Sequence, residues 1–337
     1  MANITFTEGS GLQDSIYGKS QAPIRMFLEK RGEAFEQQSI VKEVFNMEKS
    51  SSWAEKLVTM GSMEGFKPVG ENGPYPIDGF QEGPSKTLEH MTWKDSFSIS
   101  REMVDDAKLM DLKKKPNAFI TAYHRTREKF GAALLGGAIS NKGFIEMNGF
   151  KFSTKTADEV GLFHTAHPSD KKHKVTQSNK FADAFSNDAL MAIEEKMQSF
   201  TDDAGNILDV VPDTILIPNS YKLKKEIFAA IGADKDPATA NNGFNYTYGR
   251  WNVIIWPYLN QFIASGTLPW IVMASAYNKE YTGAVWFDRV ALEVRSEIDS
   301  GNDANVWRGY SRFTAGFNDW RAFAVGGASG GGTLIAD

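Results

Sequence analysis

At 337 residues the chain is long enough for two to three lobes, at roughly 100–200 residues per domain. Its 23 Phe, 10 Tyr and 8 Trp mark a chain that buries a core, and its lack of cysteine removes disulfides, thiolate nucleophiles, Cys-based zinc sites and iron–sulfur clusters together. A net charge of −5, with both signs interspersed, argues against a dedicated nucleic-acid-binding domain, which needs clustered Lys and Arg.

The first twenty residues are polar and glycine-punctuated and predict an extended arm. They hold no basic stretch followed by an apolar one, so no secretory signal is expected. Ile24, Phe27, Leu28 and Phe35 recur at helical spacing and predict a short amphipathic helix over about Pro23–Gln38. Strand-like runs follow near Trp53–Met60 and Lys86–Ser100. In the second, Met91, Trp93, Phe97 and Ile99 share one parity, while His90, Thr92, Lys94 and Ser98 share the other. Gly61–Pro84 joins the two runs with six glycines and four prolines counted from Gly61 to Pro84 itself, so it has little capacity for a core of its own.

A long helix is expected from Pro116, a first-turn residue, to about Leu135, with Gly136-Gly137 ending it. Phe119, Tyr123, Phe130 and Leu134 form its apolar stripe. The uncharged stretch Phe130–Ile139 is about half the ~20 residues of a membrane span, and no membrane association is expected. Further on, a helix over Asn187–Phe200 stops at the turn Thr201–Asn206. Strand Thr214–Ile217 and helix Ser220–Ile231 follow, then strands near Trp251–Trp256, Trp270–Ala274, Ala284–Asp288 and Leu292–Ile298. The last segment, Asn305–Val325, alternates with Trp307, Phe313, Ala315 and Phe317 on one parity. The order is α+β, without a βαβ repeat.

Little of the sequence carries chemistry. His164, His167 and His173, with Asp170, have permissive metal-ligand spacing, and they define an alternative reading as a metal-dependent hydrolase. Lys171, Lys172 and Lys174 crowd the same loop with positive charge, so a structural loop is favoured. Gly327–Gly331 fits Gly-x-Ser-x-Gly, but the last histidine, His173, precedes Ser329, and a flexible glycine tail is expected instead. Asp202–Asn206 lacks the alternating oxygens of a calcium loop and reads as a helix-terminating turn. Lys113-Lys114-Lys115 reads as a solvated helix approach, and Trp251, Trp256, Trp270 and Trp286 read as core. No catalytic, metal or cofactor residue is assigned.

A two-stranded ribbon is marginal alone in water, and this one carries Phe66, Tyr75 and Phe80 at its tip and Trp93 on its apolar parity. A neighbouring copy of the chain is the economical cover, so Phe66, Tyr75, Phe80 and Trp93 are the expected inter-subunit contacts. The order of arm, short helix, glycine-tipped ribbon, long helix and mixed lobe resembles the Hong Kong 97-type capsid fold. Leu162–Pro168, Asn187–Leu190 and Asp213–Pro218 are similar to the Mu-type major head subunit family. Trp286–Asp288, Glu293–Arg295, Trp307–Tyr310 and Gly316–Arg321 resemble the C-terminal portion of those head proteins.

That resemblance implies a division into N-arm and short helix (1–44), ribbon or E-loop (45–100), peripheral domain with a spine helix over 116–135 (101–184), axial domain (185–298), and return strand and tail (299–337). It implies a tailed-phage major capsid protein, self-assembled as hexamers and pentamers into an icosahedral shell in the virion. Scaffolding and portal proteins are the implied partners, assembly is in the host cytoplasm, and double-stranded DNA is contacted non-specifically at most. A long N-terminal scaffolding segment of some members is absent, so scaffolding is expected from a separate protein or one already removed. The alternative within the fold is an encapsulin-like nanocompartment enclosing protein cargo.

Overall fold

The computed structural model describes residues 5–8, 18–60, 66–77, 82–105, 109–168, 176–232, 234 and 243–334. Along the chain lie β1 (Thr5–Glu8), α1 (Gly18–Gln37), α2 (Val41–Val44), β2 (Asn46–Lys49), β3 (Ala54–Met60), β4 (Glu82–Glu89) and β5 (Met91–Ile99). Then come α3 (Arg101–Asp105), α4 (Leu109–Ile139), β6 (Phe144–Met147), β7 (Phe150–Ser153), β8 (His167–Pro168) and β9 (Thr176–Gln177). The C-terminal half holds α5 (Asn187–Gln198), β10 (Thr214–Pro218), α6 (Tyr221–Ile231), β11 (Asn252–Trp256) and β12 (Trp270–Met273). It ends with α7 (Ser275–Glu280), β13 (Ala284–Asp299), β14 (Ala304–Phe317) and β15 (Phe323–Gly326). Among the described residues, no helix is long and apolar enough to cross a membrane.

Two compact units result, each assembled from separate stretches. One holds Met1–Glu55, Leu88–Phe130 and Trp286–Ala315; the other holds Lys56–Thr87, Gly131–Val285 and Gly316–Asp337. The first is built on a sheet of order β1-β13-β14-β5, with β2 also paired to β13. The parity read on β5 appears as alternating exposure along Met91–Ile99. Its apolar side meets the chain itself: Phe97 and Ile99 pack with Phe119 and Ile120 of α4, Leu28 of α1 and Trp307 of β14. Gly309 on β14 admits the Phe119 ring, since a Cβ there would lie 2.4 Å from Phe119 Cζ.

Arg127 on α4 enters a second aromatic group and forms a two-armed ion pair with Asp288 of β13, at 2.7 and 2.9 Å. The guanidinium carbon lies 4.7 Å from the Trp286 ring centroid and 5.2 Å from that of Phe313. Trp286 Nε1 donates to Asp288 at 3.0 Å, and Arg127 also donates to the Tyr123 hydroxyl at 3.2 Å. Thus the two charges placed among these rings, Arg127 and Asp288, partner each other.

The second unit is built on a sheet of order β11-β10-β12-β15, parallel between β10 and β11 and antiparallel elsewhere. β10, β12 and β15 are buried at every position, which explains their continuous apolar runs. Trp256 and Trp270 of this unit are fully buried, as is Trp286 of the first, all as core residues. α5 begins where Ser186 Oγ accepts from the Ala189 N–H at 3.0 Å, and it buries Leu190, Ile193 and Met197.

Three elements depart from the sequence reading. The long helix begins at Leu109 rather than Pro116 and runs through Gly136-Gly137 to Ile139, a rod of about 46 Å. The glycines serve close packing: a Cβ on Gly136 would lie 2.4 Å from Phe262 Cβ, and one on Gly137 would lie 2.3 Å from Ile145 Cγ2. Asn141, at φ 53°, takes the left-handed position just past the helix instead. The two strands expected at Ala284–Asp288 and Leu292–Ile298 are one continuous strand, β13. The segment Asn305–Val325 is two strands, with a turn of 3₁₀ helix at Trp320–Ala322 between them.

Two outcomes follow for the unassembled subunit. Arg127→Met leaves Asp288 buried without its partner and should lower unfolding stability in urea by about 3–5 kcal/mol, whereas adding Asp288→Leu should restore most of it. The second concerns His124, whose ring lies 4.8 Å from Phe35 of α1. Burial, then the charges of Arg127 and Lys42, lower its pKa from 6.5 to about 4. The folded chain therefore resists a proton that the unfolded chain accepts, so this contribution is full above pH 6.5 and is lost as pH falls toward about 4. Urea titrations at pH 7 and 5 should show a smaller loss in His124→Phe than in the wild type.

Candidate assembly surface

Among the described residues β3 and β4 form a two-stranded ribbon of their own. Thr59 Oγ1 donates to the Pro84 carbonyl at 2.7 Å. At its base, His90 Nε2 and Ser50 Oγ are 2.8 Å apart, and Ser50 Oγ donates to Glu55 at 2.5 Å. Further along, the Lys86 ammonium donates to the Lys155 carbonyl. Burial lowers the Lys86 pKa to about 8, against the opposing pull of Asp158.

Beyond the strands, Asn72 at φ 62° and a bond from the Gly73 N–H to the Gly70 carbonyl at 2.9 Å make a turn. Around it Phe66, Tyr75 and Ile77 are almost wholly exposed, and Val69 is half-exposed. Among the described residues nothing buries these four apolar side chains, and such an exposed apolar group marks an interaction surface. Phe80 lies outside the described residues.

Trp93 does not share that surface. It stands on β5, stacked on Phe313 with centroids 4.8 Å apart and planes within 3°, and its Nε1 donates to the Phe313 carbonyl at 3.3 Å. The ribbon is therefore shorter than the expected 45–100 hairpin: β5 leaves it at His90 and joins β14 in the first unit's sheet. The cover expected from a neighbouring copy is supplied there by α4 and β14 of the same chain.

The histidine loop is a structural knot. His167 is fully buried, stacked on Trp320 at 4.3 Å, with Nδ1 2.8 Å from Asp158 and Nε2 3.2 Å from Asn179 Oδ1. The Asn179 amide nitrogen donates to the carbonyls of Leu162 and Phe323, so its oxygen faces the ring. Burial pushes the Asp158 carboxyl up, but hydrogen bonds from His167, Thr156 and the Val160 N–H outweigh it and hold it below the usual carboxylate range. His164 Nδ1 accepts from the Ala166 N–H at 3.0 Å. Asp170 and His173 lie outside the described residues, and among those described no cluster of metal-ligating side chains occurs.

The other motifs are likewise absorbed by the fold. Asp202 accepts from the N–H groups of Ala204 and Asn206, both at 2.8 Å, and closes the turn after α5. The glycine tail, expected to be flexible, is pinned instead: Ala328 N–H donates to Phe181 and Gly332 N–H to Lys180, both at 3.0 Å. Lys114 and Lys115 lie inside α4 rather than before it, and Lys115 donates to the Ser98 carbonyl at 2.7 Å. Sequence reading missed a second exposed aromatic set, Tyr221, Phe228, Phe244, Tyr246 and Tyr248. Its signal is the alternation Phe-Asn-Tyr-Thr-Tyr at 244–248, where the aromatics face out.

The family model described as phage capsid protein matches residues 85–326, well over half the chain. No curated protein matches it. A solved structure from Mycobacterium phage Patience is similar at 13% identity and TM-score 0.51, over 99% of this chain and 95% of that one. The capsid structure of the cyanophage P-SCSP1u matches at 10% identity and TM-score 0.50, over 86% and 87%. The capsid of Ralstonia phage GP4 matches at 11% identity and TM-score 0.50, over 83% and 88%. The fold is that of the Hong Kong 97-type capsid subunit, and this chain belongs to the phage capsid protein family, with a structural rather than an enzymatic part in the phage head.

Proposed function

We propose that the chain closes its shell by laying the β3–β4 ribbon over a neighbouring copy, with Phe66 and Tyr75 as the anchoring side chains. The exposure of Phe66, Tyr75 and Ile77 around a Gly/Pro turn carries this reading. Apolar rings held away from any core gain free energy when a second subunit removes them from water, at about 25 cal/mol per Å². Trp93 takes no part, because its ring is stacked on Phe313.

The mature particle is a virion head of hexamers and pentamers, assembled in the host cytoplasm with a scaffolding protein and a portal. Double-stranded DNA is its content. With a net charge of −5, contact with that DNA is non-specific and screened by counterions. The Mu-type subgroup is supported by the Leu162–Pro168 and Asp213–Pro218 segments.

Expression with a scaffolding protein, followed by sedimentation and negative-stain microscopy, tests the ribbon. Phe66→Ser with Tyr75→Asp should leave the thermal midpoint of the subunit unchanged and abolish closed particles. Wild-type particle yield from that variant would overturn the role given to the ribbon. Nuclease-protected DNA in particles from infected cells is the expected cargo; protein cargo would instead make the shell a nanocompartment.

A further inference from the structure

The first unit holds two arginines for which its own fold provides no counter-charge. Arg289 on β13 and Arg312 on β14 form no ion pair or hydrogen bond among the described residues, and Arg312 Nε is buried without an acceptor. The charges of both bear on His90, the residue before β5, which is 6% exposed and meets the Phe287 ring edge-on at 6.4 Å. Burial first, then Arg289 and Arg312, hold its pKa below the usual histidine value, against the opposing pull of Glu55 and Asp288. Neither carboxylate answers the two guanidiniums. Asp288 is taken up by both arms of Arg127, and Glu55 accepts from Ser50.

The hydrogen bonds around His90 fix which ring nitrogen carries the proton. Ser50 Oγ has one hydrogen and gives it to Glu55 at 2.5 Å, so toward His90 it accepts. The neutral ring therefore holds its proton on Nε2, 2.8 Å from that hydroxyl, and Nδ1 is a bare lone pair. Nδ1 is buried and has no donor among the described residues. Polar atoms left unmet in this way are rare and costly in a native fold.

Two free cationic donors and one buried acceptor together define what they bind. Any small oxyanion satisfies the guanidiniums, but a bare Nδ1 repels an oxygen unless that oxygen carries a hydrogen. Sulfate, a carboxylate and the phosphodiester of DNA carry none at neutral pH. Inorganic phosphate keeps at least one O–H in both of the forms it takes there, and its other oxygens suit the planar fork of arginine.

We infer that Arg289, Arg312 and His90 Nδ1 form a binding site for free hydrogen phosphate, its O–H donating to Nδ1 and its charged oxygens accepting from the two guanidiniums. Arg289 and Arg312 are half-buried, so the site opens at their ends, with Nδ1 beneath. A phosphate held there joins β13, β14 and the start of β5 within the first unit. The site does not depend on how the chain assembles.

Equilibrium dialysis of the unassembled full chain against radiolabelled phosphate, at neutral pH and constant ionic strength in sodium chloride, should show saturable binding of a single ion per subunit. Excess sulfate or dimethyl phosphate, neither of which carries an O–H, should displace it poorly. Arg289→Gln and Arg312→Gln should each lose the site, while Lys94→Gln, which removes an exposed cation elsewhere on β5, should keep it. His90→Gln retains an amide donor toward Ser50 but has no counterpart of Nδ1, so it should weaken phosphate and let sulfate compete on equal terms. Loss of folding would not produce that change of selectivity. Absence of saturable binding to the wild-type chain, or binding retained in both arginine variants, would overturn the site. Sulfate displacing phosphate from the wild-type chain as well as unlabelled phosphate does would overturn the part given to His90.

Discussion

The Arg127–Asp288 pair is the constraint on which the first unit depends. Two charges among Trp286, Phe313 and Tyr123 are tolerable only because the ion pair is two-armed and the remaining lone pairs are met by Trp286 Nε1. A buried pair of this kind adds little net stability over an apolar substitute. What it fixes is register, because sliding α4 by one turn along β13 would strand both charges at a cost of several kcal/mol. Within the same unit, the backbone carbonyl of Asp288 accepts from the Ser50 N–H at 3.2 Å, and Ser50 Oγ lies against His90 and Glu55. One aspartate thereby ties α4 by its side chain and the segment before β3 by its main chain.

Where the sequence was legible, the pattern was local. β5 alternates because one face packs and the other does not, and α5 and α6 show their buried stripes because each has a single packed side. Where it misled, a long-range contact overrode a local signal. Gly136-Gly137 reads as a helix stop, yet Phe262 and Ile145 approach so closely that any side chain there would collide. Pro116 reads as a first turn, yet the helix extends two turns before it. Nothing in the residues near 116 or 136 announces these partners.

The candidate surfaces divide along the same line. Phe66 and Tyr75 could be singled out because glycines and prolines around them forbid a core, so a ring in that stretch has nowhere of its own to go. Trp93 had the same apolar parity, but the residue that takes it up, Phe313, is more than 200 positions away in the chain. The exposed aromatics at 244–248 went unread for the opposite reason. Aromatics in a mixed α/β lobe are ordinarily core, and only the hydrogen bonds of Asn245 and Thr247 reveal which parity turns inward.

A shell needs contacts that are individually modest, since each subunit meets several neighbours and closure multiplies their effect. The ribbon tip suits that demand. Pro68, Pro74 and Pro76 restrict the backbone of the free segment, so less conformational entropy is lost when it docks. Exposed Lys67 and Glu71 sit between the apolar residues and keep the unassembled tip in water. Stiffness lowers the cost of docking, while charge limits association at the wrong time. Both properties come from residues that make no core of their own, and they suit the tip to the docking proposed for it.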